Sequence, residues 1–267
     1  MPRARTPYAE AQLQRRLWTP DRLRPALWLD AADRSTITIA TGVSEWRDKS
    51  GNNRHLSQTT PTQQPALTLN AQNGLPALTF DGSNDFMSNA SVGAAGLDVV
   101  QIISVFRMIT GGANEDVPMG VGQTGFLSAI RTFYRENNGT TVGFASWGND
   151  VASSAYSYDI GGNFHVFEAW NTQRATPNQI RIGRNGSITT YSVGSVNLTA
   201  DGFSVGSLRG SAVANYYSNI AVGEILVAYS EWSQRNRQLV EGYLGWKWGI
   251  TLDASHPFVN RPPLIGV

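Results

Sequence analysis

The sequence predicts an all-β sandwich or barrel that carries one C-terminal helix. Three observations lead there. Short apolar, β-branched segments recur along the chain with Gly, Pro, Asn and Ser between them, which is the rhythm of antiparallel strands and not of βαβ units. Composition agrees, because 41% hydrophobic residues, only 15% charged residues and 27 glycines suit many strands joined by tight turns. One stretch alone, from Glu231 to Phe258, has the caps and apolar periodicity of a long helix. With 267 residues the chain can bury a substantial core, and β-rich units of this size commonly form one domain.

The elements follow in order. Residues 8–18 suit a short amphipathic helix, with Leu13 and Leu17 one turn apart, and Pro20 and Pro25 close this opening segment. Strand-like runs then occupy 27–30, 36–40, 43–47, 66–69 and 77–80. Residues 99–108 are long, apolar and β-branched, so they predict a central strand. Further strands are expected at 126–134, 142–147, 163–170, 180–183, 188–193, 203–206 and 220–229. Between 183 and 188, Asn185-Gly186 predicts a hairpin, because both residues tolerate positive φ. The helix is expected over 233–248. Ser233 is a natural N-cap, and Leu239, Val240, Tyr243 and Leu244 form one apolar stripe. Gly249 stops the helix, and the chain then runs extended through His256-Pro257-Phe258. Gly242 and Gly245 leave a smooth second face for close contact with a sheet edge or a neighbouring subunit.

Composition also narrows the function classes. With no cysteine, disulfide scaffolds and thiolate chemistry are excluded, and synthesis in a cytoplasm is expected. The first 18 residues lack the apolar centre of a secretory signal, and no apolar run approaches a membrane span. The N-x-S/T triplets at Asn89, Asn138, Asn185 and Asn197 therefore carry little weight. Charge is unevenly placed. Residues 1–25 hold Arg3, Arg5, Arg15, Arg16, Arg22 and Arg24 against Glu10 and Asp21, leaving 15 of the 21 basic and 18 of the 20 acidic residues for the rest. A basic arm on a mildly acidic body suits docking to an acidic surface. Nucleic acid is not the expected partner, because the arm has no dense Lys/Arg run and the body no basic patch.

Several segments together carry a family likeness. LWLDAAD (27–33), WRDKSGNNRHL (46–56), PALTFDGSNDFM (76–87), the Asn185-Gly186 hairpin, VGEILVAYSE (222–231) and RQLVEGYLGWKWGI (237–250) with the following HPF occur in this order. The chain resembles the LamG-like, concanavalin A-like jelly-roll domains over about 27–258, above all the copies encoded by tailed bacteriophages and prophages. The resemblance implies an all-β, two-sheet antiparallel jelly-roll sandwich of roughly a dozen strands with one C-terminal α-helix. It also implies a non-enzymatic structural protein of the virion, made in the host cytoplasm, as a head decoration or a tail or fibre component. Residues 1–25 would anchor it to other virion proteins, residues 26–267 would project outward, and a homotrimer is the expected assembly.

A carbohydrate-binding lectin module for bacterial surface polysaccharide is the alternative. Sugar rings pack on aromatic faces, and Trp147, Tyr156 and Tyr158 sit in or beside Gly/Ser/Asn-rich segments where they could be exposed. Trp28, Trp46, Trp170, Trp246 and Trp248 lie in strand or helix patterns and are assigned to the core. No cofactor is called for. Calcium is the one cation considered, because related jelly rolls hold it near turns such as Asp81-Gly82-Ser83-Asn84-Asp85. The competing reading there is an Asx-type turn, in which Asp81 and Asn84 bond the backbone. Asp48, Ser50 and Asn52 invite the same comparison and favour the turn more strongly. Glu224, on an apolar strand, is expected to be a buried carboxylate with a hydrogen-bonded partner and not a catalytic acid.

Gly120 to Gly125 matches G-x-G-x-x-G, but a strand is expected after it where a dinucleotide site needs a helix. His55, His165 and His256 show no metal spacing. There is no G-x-S-x-G and no close set of carboxylates on one strand. Two carboxylates can still meet from distant segments, which keeps a glycan hydrolase as the third reading.

Overall fold

The apolar strand segments pair into two antiparallel sheets, in a computed structural model that describes residues 17–111, 116–121, 131–135, 139–145, 149–172, 178–194, 201–208 and 216–265. Strands are numbered along the chain. Sheet I runs β15 (Ser187–Val193), β14 (Asn178–Arg184), β13 (His165–Thr172), β8 (Val99–Met108), β17 (Asn219–Ala228), β6 (Leu75–Asp81) and β5 (Ala66–Gln72), and β1 (Leu27–Asp30) also pairs with β17. Sheet II runs β12 (Val151–Ser157), β11 (Thr141–Ala145), β10 (Arg131–Arg135), β9 (Asp116–Val121), β16 (Phe203–Val205), β7 (Met87–Asn89), β4 (Leu56–Ser57), β3 (Val43–Trp46) and β2 (Ile37–Ile39). The predicted two-sheet antiparallel sandwich with a C-terminal helix is what the chain forms. The helix, α1 (Gln234–Trp248), starts where Ser233 accepts from the Asn236 N–H and stops at Gly249 in the left-handed region, φ 66°.

Two apolar layers hold the molecule. Between the sheets lie Trp46, Phe80, Phe106, Phe133, Phe144, Phe167 and Phe203. On the other side of sheet I, α1 lays Val240, Tyr243, Leu244 and Trp248 over Trp28, Ile103, Val105, Val166 and Leu226. Strand β8 is thus buried on both faces, which is why its sequence reads as a continuous apolar run instead of an alternation. Strand β17 contains the chain's informative irregularity. Its register against β8 slips between Val222 and Glu224, so Gly223 is an extra, bulged residue. Strict alternation from Ile220 and Val222, both in the inter-sheet core, would aim Glu224 into that core; the bulge turns it to the helix side instead. The same break divides the edge, with 219–222 pairing to β6 and 224–227 to β1.

Some expectations need correction. Strands β4, β7, β9 and β12 were not anticipated, and strand 126–134 is described only from Arg131 onward. The N-terminal segment is not free up to residue 25. Leu17 bridges Leu264, the Trp18 N–H donates to the Pro263 carbonyl at 3.0 Å, and Trp18 is buried edge-on to Tyr243. The smooth glycine face of α1 meets neither a sheet edge nor a second subunit. A Cβ on Gly242 would stand 2.8 Å from the Phe258 ring, and one on Gly245 2.9 Å from Leu252, so the chain's own C-terminal tail fills it.

Candidate functional site

Among the described residues, an open polar concavity lies on the outer face of sheet II. Ser57 on β4 and Ser88 on β7 are register partners, and Ser204 on β16 continues the same row. Outward positions on these strands carry small side chains, so the floor is low. The loop after β4 and the residues flanking β7 raise walls around a groove of about 470 Å³, within the usual size range of small-ligand sites. The walls are braced by their own hydrogen bonds. Gln58 donates to the Phe86 carbonyl (3.2 Å) and accepts from the Thr60 N–H (3.0 Å). Gln64 donates to the Gln58 carbonyl (2.8 Å), and Asn89 donates to that of His55 (2.9 Å). The His55 Nδ1 accepts from the Asp48 N–H at 3.0 Å, which assigns the proton of the neutral ring to Nε2. Left for a ligand are the exposed hydroxyls of Ser57, Thr59 and Thr60, the Gln63 amide and the half-buried Phe86 ring, with Ser88 buried at the floor, and none of them is bonded to another described side chain.

The buried carboxylates form a different kind of site, closed beneath α1. Glu224 is wholly buried. Its Oε1 accepts from Trp28 Nε1 (2.8 Å) and the Tyr243 hydroxyl (3.1 Å), and its Oε2 from Trp248 Nε1 (2.8 Å) and Lys247 Nζ (2.7 Å). Lys247 also reaches Asp30 at 2.7 Å, and Lys49 joins Asp30 and Asp33 at 2.8 and 2.9 Å. Burial raises the Glu224 pKa, with Lys247 opposing. Burial works against the Lys49 charge, but Asp30 and Asp33 outweigh it and raise its pKa. A second pair joins strand to helix. Glu168 on β13 and Glu241 on α1 are both fully buried; Arg237 lies 2.5 Å from Glu241 and 3.6 Å from Glu168, and His256 Nε2 lies 2.8 Å from Glu241. Burial, and then Glu241, pushes Glu168 well above the usual carboxyl range. Burial would raise Glu241 too, but Glu168, His256 and Arg237 bonding to it hold it low. Glu168 therefore favours its protonated form and Glu241 its charged one.

The residues singled out from sequence are scattered. Arg3, Arg5, Arg15, Arg16 and Trp147 lie outside the described residues, whereas Arg22 and Arg24 are exposed on and just after a 3-10 turn, Pro20–Leu23. Tyr158 is 2% exposed, its ring edge-on to Phe167 and its hydroxyl donating to the Tyr134 carbonyl, so it cannot stack on a sugar. Tyr156, half-buried on β12, donates to Ser187, and four strands separate β12 from β7. The turn after β6 takes the Asx form. Asp81 Oδ1 accepts from the N–H groups of Ser83, Asn84 and Asp85 at 2.8–3.2 Å, and Asp85 Oδ2 accepts from the Asp81 N–H at 3.1 Å.

Burial would raise Asp81, but these donors prevail and lower it; Asp85 is pushed up to about 6, first by burial and then by Asp81. Two of the five side-chain oxygens of Asp81, Asn84 and Asp85 are thus spent on the turn. Of the three that remain, Asn84 Oδ1 is buried without a hydrogen-bond partner among the described residues and does not bond the backbone as expected; calcium takes roughly six oxygens, so backbone carbonyls or water would have to supply the rest. Asp48 likewise serves its own loop, accepting from Trp28, Ser50 and Arg54. Of the tryptophans assigned to the core, Trp28, Trp46, Trp170 and Trp248 are buried. Trp246 is 38% exposed and donates to the Phe258 carbonyl.

No family model matches the chain, and no curated protein matches it. Solved structures do. A Trypanosoma rangeli sialidase in complex with sialic acid aligns with TM-score 0.56 at 13% identity, over 83% of this chain and 33% of that one. The same enzyme with 2,3-difluorosialic acid, a covalent intermediate, gives 0.57 and 14%, over 84% and 33%. The ligand-binding domain of botulinum neurotoxin serotype D in complex with N-acetylneuraminic acid gives 0.56 and 11%, over 82% and 50%. The chain therefore spans about a third of the sialidases and half of the toxin domain. At these identities the likeness is one of fold, a jelly-roll-like sandwich. It overturns one expectation. This fold occurs within sialidase chains, so a non-enzymatic protein does not follow from it, and that assignment is withdrawn. The comparisons do not tie the chain to phage LamG-like domains, and the virion and trimer expectations gain no support from them.

Proposed function

We propose that this chain is a carbohydrate-binding β-sandwich that takes a glycan in the groove over Ser57 and Ser88. The observation that carries the reading is the lining: open hydroxyls and an amide beside one half-buried aromatic face, on braced walls. That combination suits a polyhydroxylated ring, with its hydroxyls paired to the protein and its C–H face set against Phe86. The sialidase and toxin-domain structures, solved with sialic acid, support only that this fold occurs in proteins that take sugars, and not that this groove takes the same one. Glycan-array screening followed by calorimetry tests it. Saturable binding is expected, weakened at least roughly ten-fold by Phe86→Ala and abolished by Ser88→Phe, with the fold intact by circular dichroism. Binding that is indifferent to both substitutions would sink the groove as the site.

The sequence resemblance supports a finer setting, namely display on a phage-like particle, with the basic N-terminal residues attaching the sandwich to virion proteins. Removal of residues 1–16 is then expected to abolish particle association and leave glycan binding unchanged. Full occupancy of particles by the truncated chain would refute the attachment.

A further inference from the structure

We infer that the groove selects neutral glycans and rejects their sialylated counterparts, an inference that rests on the groove being the glycan site. The described residues that line it offer hydroxyls, amides, one imidazole and one phenyl ring, and among them there is no Lys or Arg. A sugar carboxylate entering such a lining sheds water and finds no cation to replace it, a loss that neutral hydroxyls do not suffer. The arginine nearest in sequence, Arg54, is turned away. Its guanidinium donates to the Ala26 carbonyl and lies over the Tyr229 ring, 5.1 Å from the centroid.

The fixed charge that does stand in the floor's row has the wrong sign for an anion. Glu45 is the cross-strand partner of Ser57, on the same outward face, with its side chain 39% exposed. It accepts from the Thr38 hydroxyl at 3.2 Å and lies 3.8 Å from Arg47, itself half exposed, so it is only loosely neutralised. Like charge at the rim and no cation in the lining both act against an anionic sugar. The sialic acid ligands of the fold's solved neighbours are thus not the class this groove is built for.

The test uses matched pairs on the full chain: lactose against 3′-sialyllactose, N-acetyllactosamine against its 3′-sialyl form, and further neutral oligosaccharides from the array beside their sialylated derivatives. The neutral member of a bound pair should bind at least roughly ten-fold more tightly. Glu45→Gln, outside the lining, should raise the affinity for the sialylated member a few-fold with little change for the neutral one, and Gln63→Arg, which supplies a cation to the lining, should narrow the ratio between the two. Equal or tighter binding of sialylated members, lost on Phe86→Ala, would overturn the selectivity and leave the groove standing as the site. Binding to no glycan, or binding insensitive to Phe86→Ala, would overturn both.

Discussion

Glu224 shows what a single residue can and cannot announce. A carboxylate on an apolar strand had to be buried with partners, and that much was legible. Its four donors come from β1 and α1, which no local pattern connects to β17. Glu224→Ala would leave two indole N–H groups and the Tyr243 hydroxyl without an acceptor and Lys247 with Asp30 alone, and should cost about 3–5 kcal/mol in a urea titration. Glu224→Gln, which keeps the shape, should cost less. The Glu168 proton makes stability depend on pH. Because its folded pKa is raised, the folded chain holds a proton that the unfolded chain releases. Its contribution is complete below the ordinary glutamate range and shrinks as pH rises through the elevated value. As pH rises above the ordinary glutamate range the native chain should lose denaturation midpoint relative to Glu168→Gln, and parallel pH curves for the two would refute the raised Glu168 pKa. Trp246 was misassigned from helix periodicity and Tyr158 from the Gly/Ser/Asn composition around it, and neither signal reveals what the facing segment covers.

Among the elements, those with strong local signals emerged at nearly their expected bounds: β8, β14 and β15 around Asn185-Gly186, and α1 between Ser233 and Gly249. The missed strands have weak signals for identifiable reasons. β9 contains Pro118 and Gly120, and the proline is tolerated where the ladder to β10 is irregular, between the Met119 and Asp116 pairings. β12, VASSAYS, is serine-rich and mostly exposed, and β4 is only two residues long. The groove was overlooked on similar grounds. Residues 57–64 form an uncharged polar run that reads as a loop, and only the β4–β7 pairing places Phe86 and Ser88 beside it. Gly223 supplies a test at this scale, since a Cβ there would lie 2.6 Å from the Trp248 ring. Gly223→Ala should lift the helix from sheet I, destabilise the chain by about 1–3 kcal/mol and red-shift tryptophan emission. Unchanged emission would mean that α1 does not depend on the bulge.

For the molecule as a whole, strand spacing left sandwich and barrel equally open, because both use short antiparallel strands. The sheet order decides it, with two separate sheets and α1 covering the far face of one. The domain boundary was harder to see. Trp18 follows an arginine-rich stretch, yet it fills the layer beneath α1. Deleting residues 1–25 should lower the thermal midpoint markedly, because losing a buried aromatic such as Trp18 costs roughly 3–5 kcal/mol. A midpoint that Trp18→Ala leaves unchanged would contradict the burial of Trp18. The pairing of Leu17 with Leu264 also bears on how the unit can be rewired. Entry and exit of the polypeptide sit side by side, so the sandwich could be spliced into a surface loop of an unrelated host without prising that loop apart. A short Gly/Ser bridge across the gap, with new ends cut elsewhere, should likewise yield a circular permutant that folds.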